Sequence, residues 1–134
     1  MDSQEKIDLA LYRLERSKEE LKSAQILLDN GMFRDSNGKS YYSIFHAIKA
    51  VLAIEGVDFR KHKDAIAHFN KTYVKTEIFH KELGRMIHLS SDMREDSDYE
   101  DFYIASKEDA QKQVNIAKMI VELVEKYVNE NKSK

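Results

Sequence analysis

Ile7, Leu11, Leu14, Leu21, Ala24 and Leu28 recur at helical spacing, with Glu, Lys and Arg filling the positions between them. The pattern predicts a helix from about Ser3 to Asp29, stopped at Asn30-Gly31, a pair that takes left-handed backbone geometry cheaply. Residues 33 to 55, FRDSNGKSYYSIFHAIKAVLAIE, follow a different pattern: the stretch is apolar almost all round, and Tyr41, Phe45, Ile48 and Leu52 form a core face. Only Lys39, Tyr42, His46 and Lys49, at i, i+3, i+7 and i+10, interrupt it with one narrow polar stripe. Such a helix belongs in the middle of a bundle, where polar groups need partners or a purpose. Asp35 or Ser36 is the expected cap, and Gly56 follows the expected end at Glu55.

A third helix is predicted from about Lys63 to Tyr73, with Ile66, Phe69 and Tyr73 inward, and Thr76 to Phe79 as a connection. A fourth runs from about Lys81 into Met93 on an inner face of Leu83, Met86, Ile87 and Ser90. Its continuation, SSDMREDSDYEDFY, sets Asp92, Glu95, Asp96, Asp98, Glu100 and Asp101 around a single Arg94, with Tyr99, Phe102 and Tyr103 interleaved. Ser106 with Asp109 reads as a capping-box variant opening a last helix. That helix carries two apolar stripes, Ala110, Val114, Ala117, Val121, Val124, Val128 and Ile116, Ile120, Leu123, Tyr127. It is too wide for one neighbour and packs against two helices of its own bundle or lends surface to a second subunit. Asn129 to Lys134 is expected to fray.

The chain has 134 residues, no Pro, 4 Gly, 42% hydrophobic and 34% charged residues. Missing helix breakers and one continuous pattern point to an all-α, up-and-down bundle of four or five helices in a single domain, residues 1–134. Zero Cys excludes disulfide and thiolate chemistry, and the N-terminal residues show no secretory pattern, so a cytoplasmic protein is expected. No apolar run reaches the roughly 18 residues of a bilayer span. A net charge of -2 gives no global attraction to nucleic acid.

His46, His62, His68, His80 and His88 show neither HExxH spacing nor paired Glu-x-x-His motifs, so no metal and no other cofactor is expected. Phosphate loops, nucleophile elbows and paired-Asp phosphotransfer motifs are also missing. Arg60, Lys61, His62 and Lys63 form the one compact basic cluster, either a phosphate contact or a solvated loop.

Ser40, Tyr41, Tyr42, Phe45, His46, Ala47, Lys49, Ala50 and Leu52, preceded by Lys39, resemble the central-helix pattern R-A-Y-Y-A-x-F-H-A-x-K/R-A-L-L of small prokaryotic HEPN domains. The likeness extends through residues 56 to 79 and 94 to 110. It implies a helical bundle that commonly forms homodimers, often in a toxin-antitoxin setting beside a separate minimal nucleotidyltransferase. Active members of that family are metal-independent RNases with an R-x(4 to 6)-H motif paired across a dimer. In such a pair His moves a proton and Arg offsets charge on the phosphorane.

Here Arg94 is followed by Glu95, Asp96, Ser97, Asp98 and Tyr99, so Tyr stands where His is needed, and the segment resembles the R-x-x-A-D-Y variant of the family. A Tyr with an ordinary pKa of about 10 is a poor general base at neutral pH. Two functions follow. One is a binding module or toxin-antitoxin component holding nucleotide or RNA through Lys39, Tyr42, His46, Lys49, Arg94 and Asp98. The other is an endoribonuclease in which Arg94 and either Tyr99 or His46 complete a composite dimer site. Against both stands a structural explanation: Arg94 is tied to Asp98 at i+4, Tyr99 packs, His46 is bonded to Tyr42 or a neighbouring helix, and Lys39 and Lys49 snorkel.

Overall fold

The computed structural model describes residues 1–132, and among them it contains five α-helices and no strand. They are α1 (Ser3–Asp29), α2 (Phe33–Glu55), α3 (His62–Phe69), α4 (Glu82–Tyr99) and α5 (Lys107–Asn131). A π-turn, Asn70–Val74, continues α3. The architecture is the all-α bundle that the periodicity predicts, with α2 at its centre.

α1 has the predicted bounds, and a capping box that the hydrophobic pattern does not reveal fixes its start. The Asp2 carboxylate accepts from the Glu5 N–H at 2.8 Å, while the Glu5 carboxylate faces the Asp2 N–H. At the other end Gly31 takes φ 75°, the left-handed geometry that an Asn-Gly pair permits. The buried face is Ala10, Leu14, Ser17, Ala24 and Leu28. Leu11, predicted inward, is 38% exposed, because Ala10 takes the core position one residue earlier.

α1 and α2 run antiparallel and approach closely, because serines meet backbone where larger side chains would hold the helices apart. Ser17 Oγ donates to the Ser43 carbonyl at 2.6 Å, Ser43 Oγ to the Ser17 carbonyl at 2.8 Å, and Ser36 Oγ to the Ala24 carbonyl at 2.8 Å. Ser36 is therefore not the cap of α2, and neither is Asp35. The helix begins earlier, at Phe33, behind Met32, which makes no side-chain cap bond, and the Ser36 hydroxyl is spent on α1. Tyr41, Ile44, Phe45, Ile48, Val51 and Leu52 are buried from several sides.

α5 turns its two stripes into its own bundle, packing against both α1 and α2. Ala110, Val114, Ala117, Val121, Val124 and Val128 are all buried, as are Ile116 and Ile120. Leu123 departs from the prediction at 37% exposed, standing at the outer edge of the second stripe. Ser106 Oγ accepts from the Asp109 N–H at 3.1 Å, as predicted for the cap. The predicted fraying begins too early: Asn129 to Asn131 are helical, and Asn131 Nδ2 donates to the Tyr127 carbonyl at 2.7 Å. Ser133 and Lys134 of the predicted tail lie outside the described residues.

The third predicted helix ends as an α-helix at Phe69 rather than Tyr73. From there the Lys75 N–H reaches back five residues to the Asn70 carbonyl at 2.8 Å, widening the turn. The wider turn lets Phe69, Tyr73 and Phe79 pack together, with Phe69 5.4 Å from each of the other two rings. Tyr73 also donates to Glu55 Oε1 at 2.7 Å, and burial followed by that bond pushes its pKa well up. α4 runs past Met93 to Tyr99, which places Arg94, Asp98 and Tyr99 on a helix. Asn37 of α2 anchors the extension by donating to Ser97 Oγ at 3.1 Å. No helix among the described residues is long and apolar enough to cross a membrane.

Candidate functional site

α4 lays Arg94 across the aromatic face of α2. The Nη2 group donates to Tyr42 Oη at 3.0 Å, and Nε lies 3.0 Å from Asp98 Oδ2 as an ion pair rather than a well-aligned hydrogen bond. The guanidinium carbon sits 5.2 Å, 5.4 Å and 5.5 Å from the ring centres of Tyr41, Tyr42 and Tyr99. Three rings and one carboxylate thus fix a single cation. Partial burial alone would lower its pKa, but Tyr42, Tyr99 and Asp98 outweigh that and raise it, so Arg94 stays charged. Tyr99 is 69% exposed and presents one of these rings to solvent.

The four stripe residues do not converge on Arg94 together. Lys39, Tyr42 and Asp98 line one shallow groove of about 390 Å³ with Leu27, Asp35 and Gly38, while Lys39 also pairs with Glu20 of α1 at 3.2 Å. Lys49 turns to Asp58, 3.2 Å away, and Arg13 joins them at 3.2 Å from Asp58 and 3.0 Å from the Lys49 carbonyl. That triad ties α1, α2 and the following loop. His46 lies among the charges of Arg16, Glu20, Lys49 and Arg13 and makes no hydrogen bond to Tyr42, whose hydroxyl is taken by Arg94. Of the predicted site residues, Tyr42, Arg94, Asp98 and Tyr99 form one assembly with Lys39 at its rim. His46 and Lys49 belong to the side facing α1.

The imidazole that does approach Arg94 is His62, which the sequence offered only as part of a basic run. It opens α3 and stacks on Phe45 at 3.7 Å between ring centres, and its Nδ1 lies 3.0 Å from Tyr41 Oη. The hint in the sequence was the aromatic face of α2, Tyr41 and Phe45 at i and i+4, which needs a flat partner from the next element. Arg60 and Lys63, by contrast, are exposed. Among the described residues no group of three His, Cys, Asp or Glu side chains is placed to hold a metal ion.

Burial holds both His46 and His62 neutral, aided by Arg16 beside the first and by Arg94 beside the second, so both pKa values fall below the ordinary 6.5. A depressed folded pKa means that the unfolded chain binds the proton more readily. Stability is therefore full above about pH 6.5 and is lost as the pH falls through the folded values. Thermal denaturation is expected to show a midpoint that drops from pH 7 toward about pH 5, and a His46→Gln/His62→Gln double variant should flatten the drop. An equally steep fall in the double variant would assign it to other groups.

The fold is thus an all-α bundle built round a nearly all-apolar α2, whose aromatic face is turned to Arg94 of the fourth helix. The family model described as HEPN domain matches residues 10–127, and the chain belongs to that family. It is 30% identical over 128 residues to a "UPF0332 protein" of Thermotoga maritima, covering 96% of this chain and 97% of the relative. It is 31% identical over 117 residues, 87% of either chain, to a Methanocaldococcus jannaschii protein named "Putative toxin MJ0605". A "UPF0332 protein" of Pyrococcus horikoshii is 42% identical over 79 residues, 58% of this chain and 56% of its own length.

Proposed function

We propose that this protein is a HEPN-domain binding module serving as one component of a toxin-antitoxin pair. In this reading it is a homodimer that acts with a separate minimal nucleotidyltransferase and engages nucleotide or RNA at the face built by Lys39, Tyr42, Arg94, Asp98 and Tyr99. The observation that carries the reading is Arg94 itself: its charge is already balanced by Asp98 and three rings, and a tyrosine stands where the RNase motif needs an imidazole. A cation so fixed suits recognition, because little conformational freedom is lost when a partner docks on it. Relatives named with the word toxin support the setting. Co-expression with the adjacent reading frame, followed by size-exclusion chromatography, should give a stable complex, and Arg94→Ala should weaken the binding of RNA or nucleotide to the protein at least tenfold. Two products that stay apart at micromolar concentration would defeat the proposal.

The endoribonuclease reading is favoured by one observation, that His62 is held against Tyr41, the same ring that Arg94 lies over. In the tautomer whose Nδ1–H donates to Tyr41 Oη, Nε2 carries the lone pair and would be the atom to take the ribose hydroxyl proton while Arg94 faces the phosphorane. Purified protein on total RNA with EDTA separates the two readings: cleavage abolished by both Arg94→Ala and His62→Ala supports a nuclease, and intact RNA supports binding alone.

A further inference from the structure

The loop that joins α4 to α5, residues 100 to 106, carries the two most exposed large apolar side chains among the described residues. Phe102 is 97% exposed and Ile104 is 89% exposed. The loop itself is tied down. Arg34 of α2 donates to the Glu100 carbonyl, the Tyr103 N–H donates to the same carbonyl at 3.3 Å, and Ser106 closes the loop by capping α5. Tyr103, half-buried, donates its hydroxyl to Met93 Sδ at 2.8 Å and so takes the inward side. Phe102 and Ile104, on either side of it, are left pointing to solvent. Neither is used by the bundle, and two neighbouring apolar side chains held in water on a fixed backbone mark a surface made for contact.

The charge around them is one-sided. From residue 95 to residue 111 the chain has seven carboxylates and a single cation, Lys107. Asp98 is engaged by Arg94, but Glu95, Asp96, Glu100 and Asp101 are exposed and make no ion pair among the described residues. Such a rim repels nucleic acid and an anionic bilayer. It also disfavours a two-fold contact of the loop with its own copy, because a symmetric interface sets the same carboxylates against each other. What remains complementary is a protein surface of opposite charge.

We propose that the α4–α5 loop is the docking surface for a different protein, one that takes Phe102 and Ile104 into an apolar pocket rimmed by Lys or Arg side chains. The two side chains form the dry centre of the contact, where most of the affinity of an interface resides. Glu95, Asp96, Glu100 and Asp101 form its rim, which speeds encounter and selects the partner more than it adds affinity. The partner is the product of the adjacent reading frame, an assignment that rests on the pairing proposed above. Because the loop leaves α4 directly after Tyr99, a protein seated on it borders the Arg94 face.

Titration of the whole chain with that product, at low and high salt, tests the surface. Phe102→Ser/Ile104→Ser should weaken the complex about a hundredfold or more, with an unchanged melting temperature because neither side chain is packed. Glu100→Lys/Asp101→Lys should weaken it about tenfold, chiefly through slower association, and added salt should act on the wild type in the same direction. Tyr12→Ser, which removes an exposed ring of α1, should leave the affinity unchanged. A complex that survives Phe102→Ser/Ile104→Ser, or that the charge reversal tightens, overturns the docking surface and leaves the pairing standing. Wild-type products that do not associate overturn both. A loop variant that turns the chain's own dimer into a monomer assigns the patch to a second copy and overturns the surface as well.

Discussion

Ser43→Leu is expected to lower the free energy of unfolding by about 3 kcal/mol or more, read as a fall in the urea midpoint. Ser43 is fully buried between α1 and α2, its hydroxyl 2.8 Å from the Ser17 carbonyl and its own carbonyl 2.6 Å from the Ser17 hydroxyl. Leucine would lose the first bond and force the two backbones apart, which strains the second. Because α2 also touches α4 and α5, the helix has no free direction in which to move. Ser43→Ala supplies the control. It removes the hydroxyl but keeps the close approach, so its cost should stay near 1 kcal/mol. Equal costs for leucine and alanine would mean that the helices do not pack this closely.

Those serines also show how much of the fold could be read from the chain and where reading stopped. α1 was legible to the residue, and so were the central place of α2, the inner face of α4 and the first stripe of α5, because apolar spacing and glycine stops encode them. Ser17, Ser36 and Ser43 are buried, but hydropathy counts them as polar, and it cannot register a hydroxyl bonded to a carbonyl of the opposite helix. The cap expected at Asp35 or Ser36 fails for the same reason, since the Ser36 hydroxyl is bonded to the Ala24 carbonyl. The π-turn was illegible because a wide turn has no distinctive composition. It forms here because the packing of Phe69, Tyr73 and Phe79 compensates for its poorer geometry.

At the candidate site the sequence put forward Arg94, Asp98 and Tyr42, and these three do meet. It could not separate Tyr42 from His46 and Lys49, since a stripe on one helix divides only when two different neighbours, α4 and α1, take its two sides, with Lys39 at the groove's rim and tied to Glu20 of α1. His62 lay outside any motif. Its role depends on a loop that returns it to the Tyr41 and Phe45 rings, a long-range contact with no local signature.

The second large effect is expected at Phe69. Phe69→Ala should cost about 3–5 kcal/mol, a large part of the roughly 5–15 kcal/mol that stabilises a typical domain. The ring is completely buried and lies against both Tyr73 and Phe79, so its loss empties the centre of the aromatic cluster packed on the π-turn. Tyr73 then loses one wall while still bonded to Glu55. Chemical denaturation followed by circular dichroism gives the magnitude. A loss below about 1.5 kcal/mol, the size of a conservative core swap, would show that the cavity collapses and the wide turn is held by other contacts.

α4 carries its charge against its own dipole. Lys81 and Arg85 stand near its positive end and Glu95, Asp96, Asp98 and Glu100 near its negative end, where the last turn has no basic residue beyond the Arg94 that Asp98 already holds. Such a helix is weakest at its C-terminal turn, so the amides from Asp96 to Tyr99 should exchange with solvent long before those of α2. A positively charged visitor at that turn would slow the exchange without touching Arg94, and the order in which the helices release their protons would record its presence.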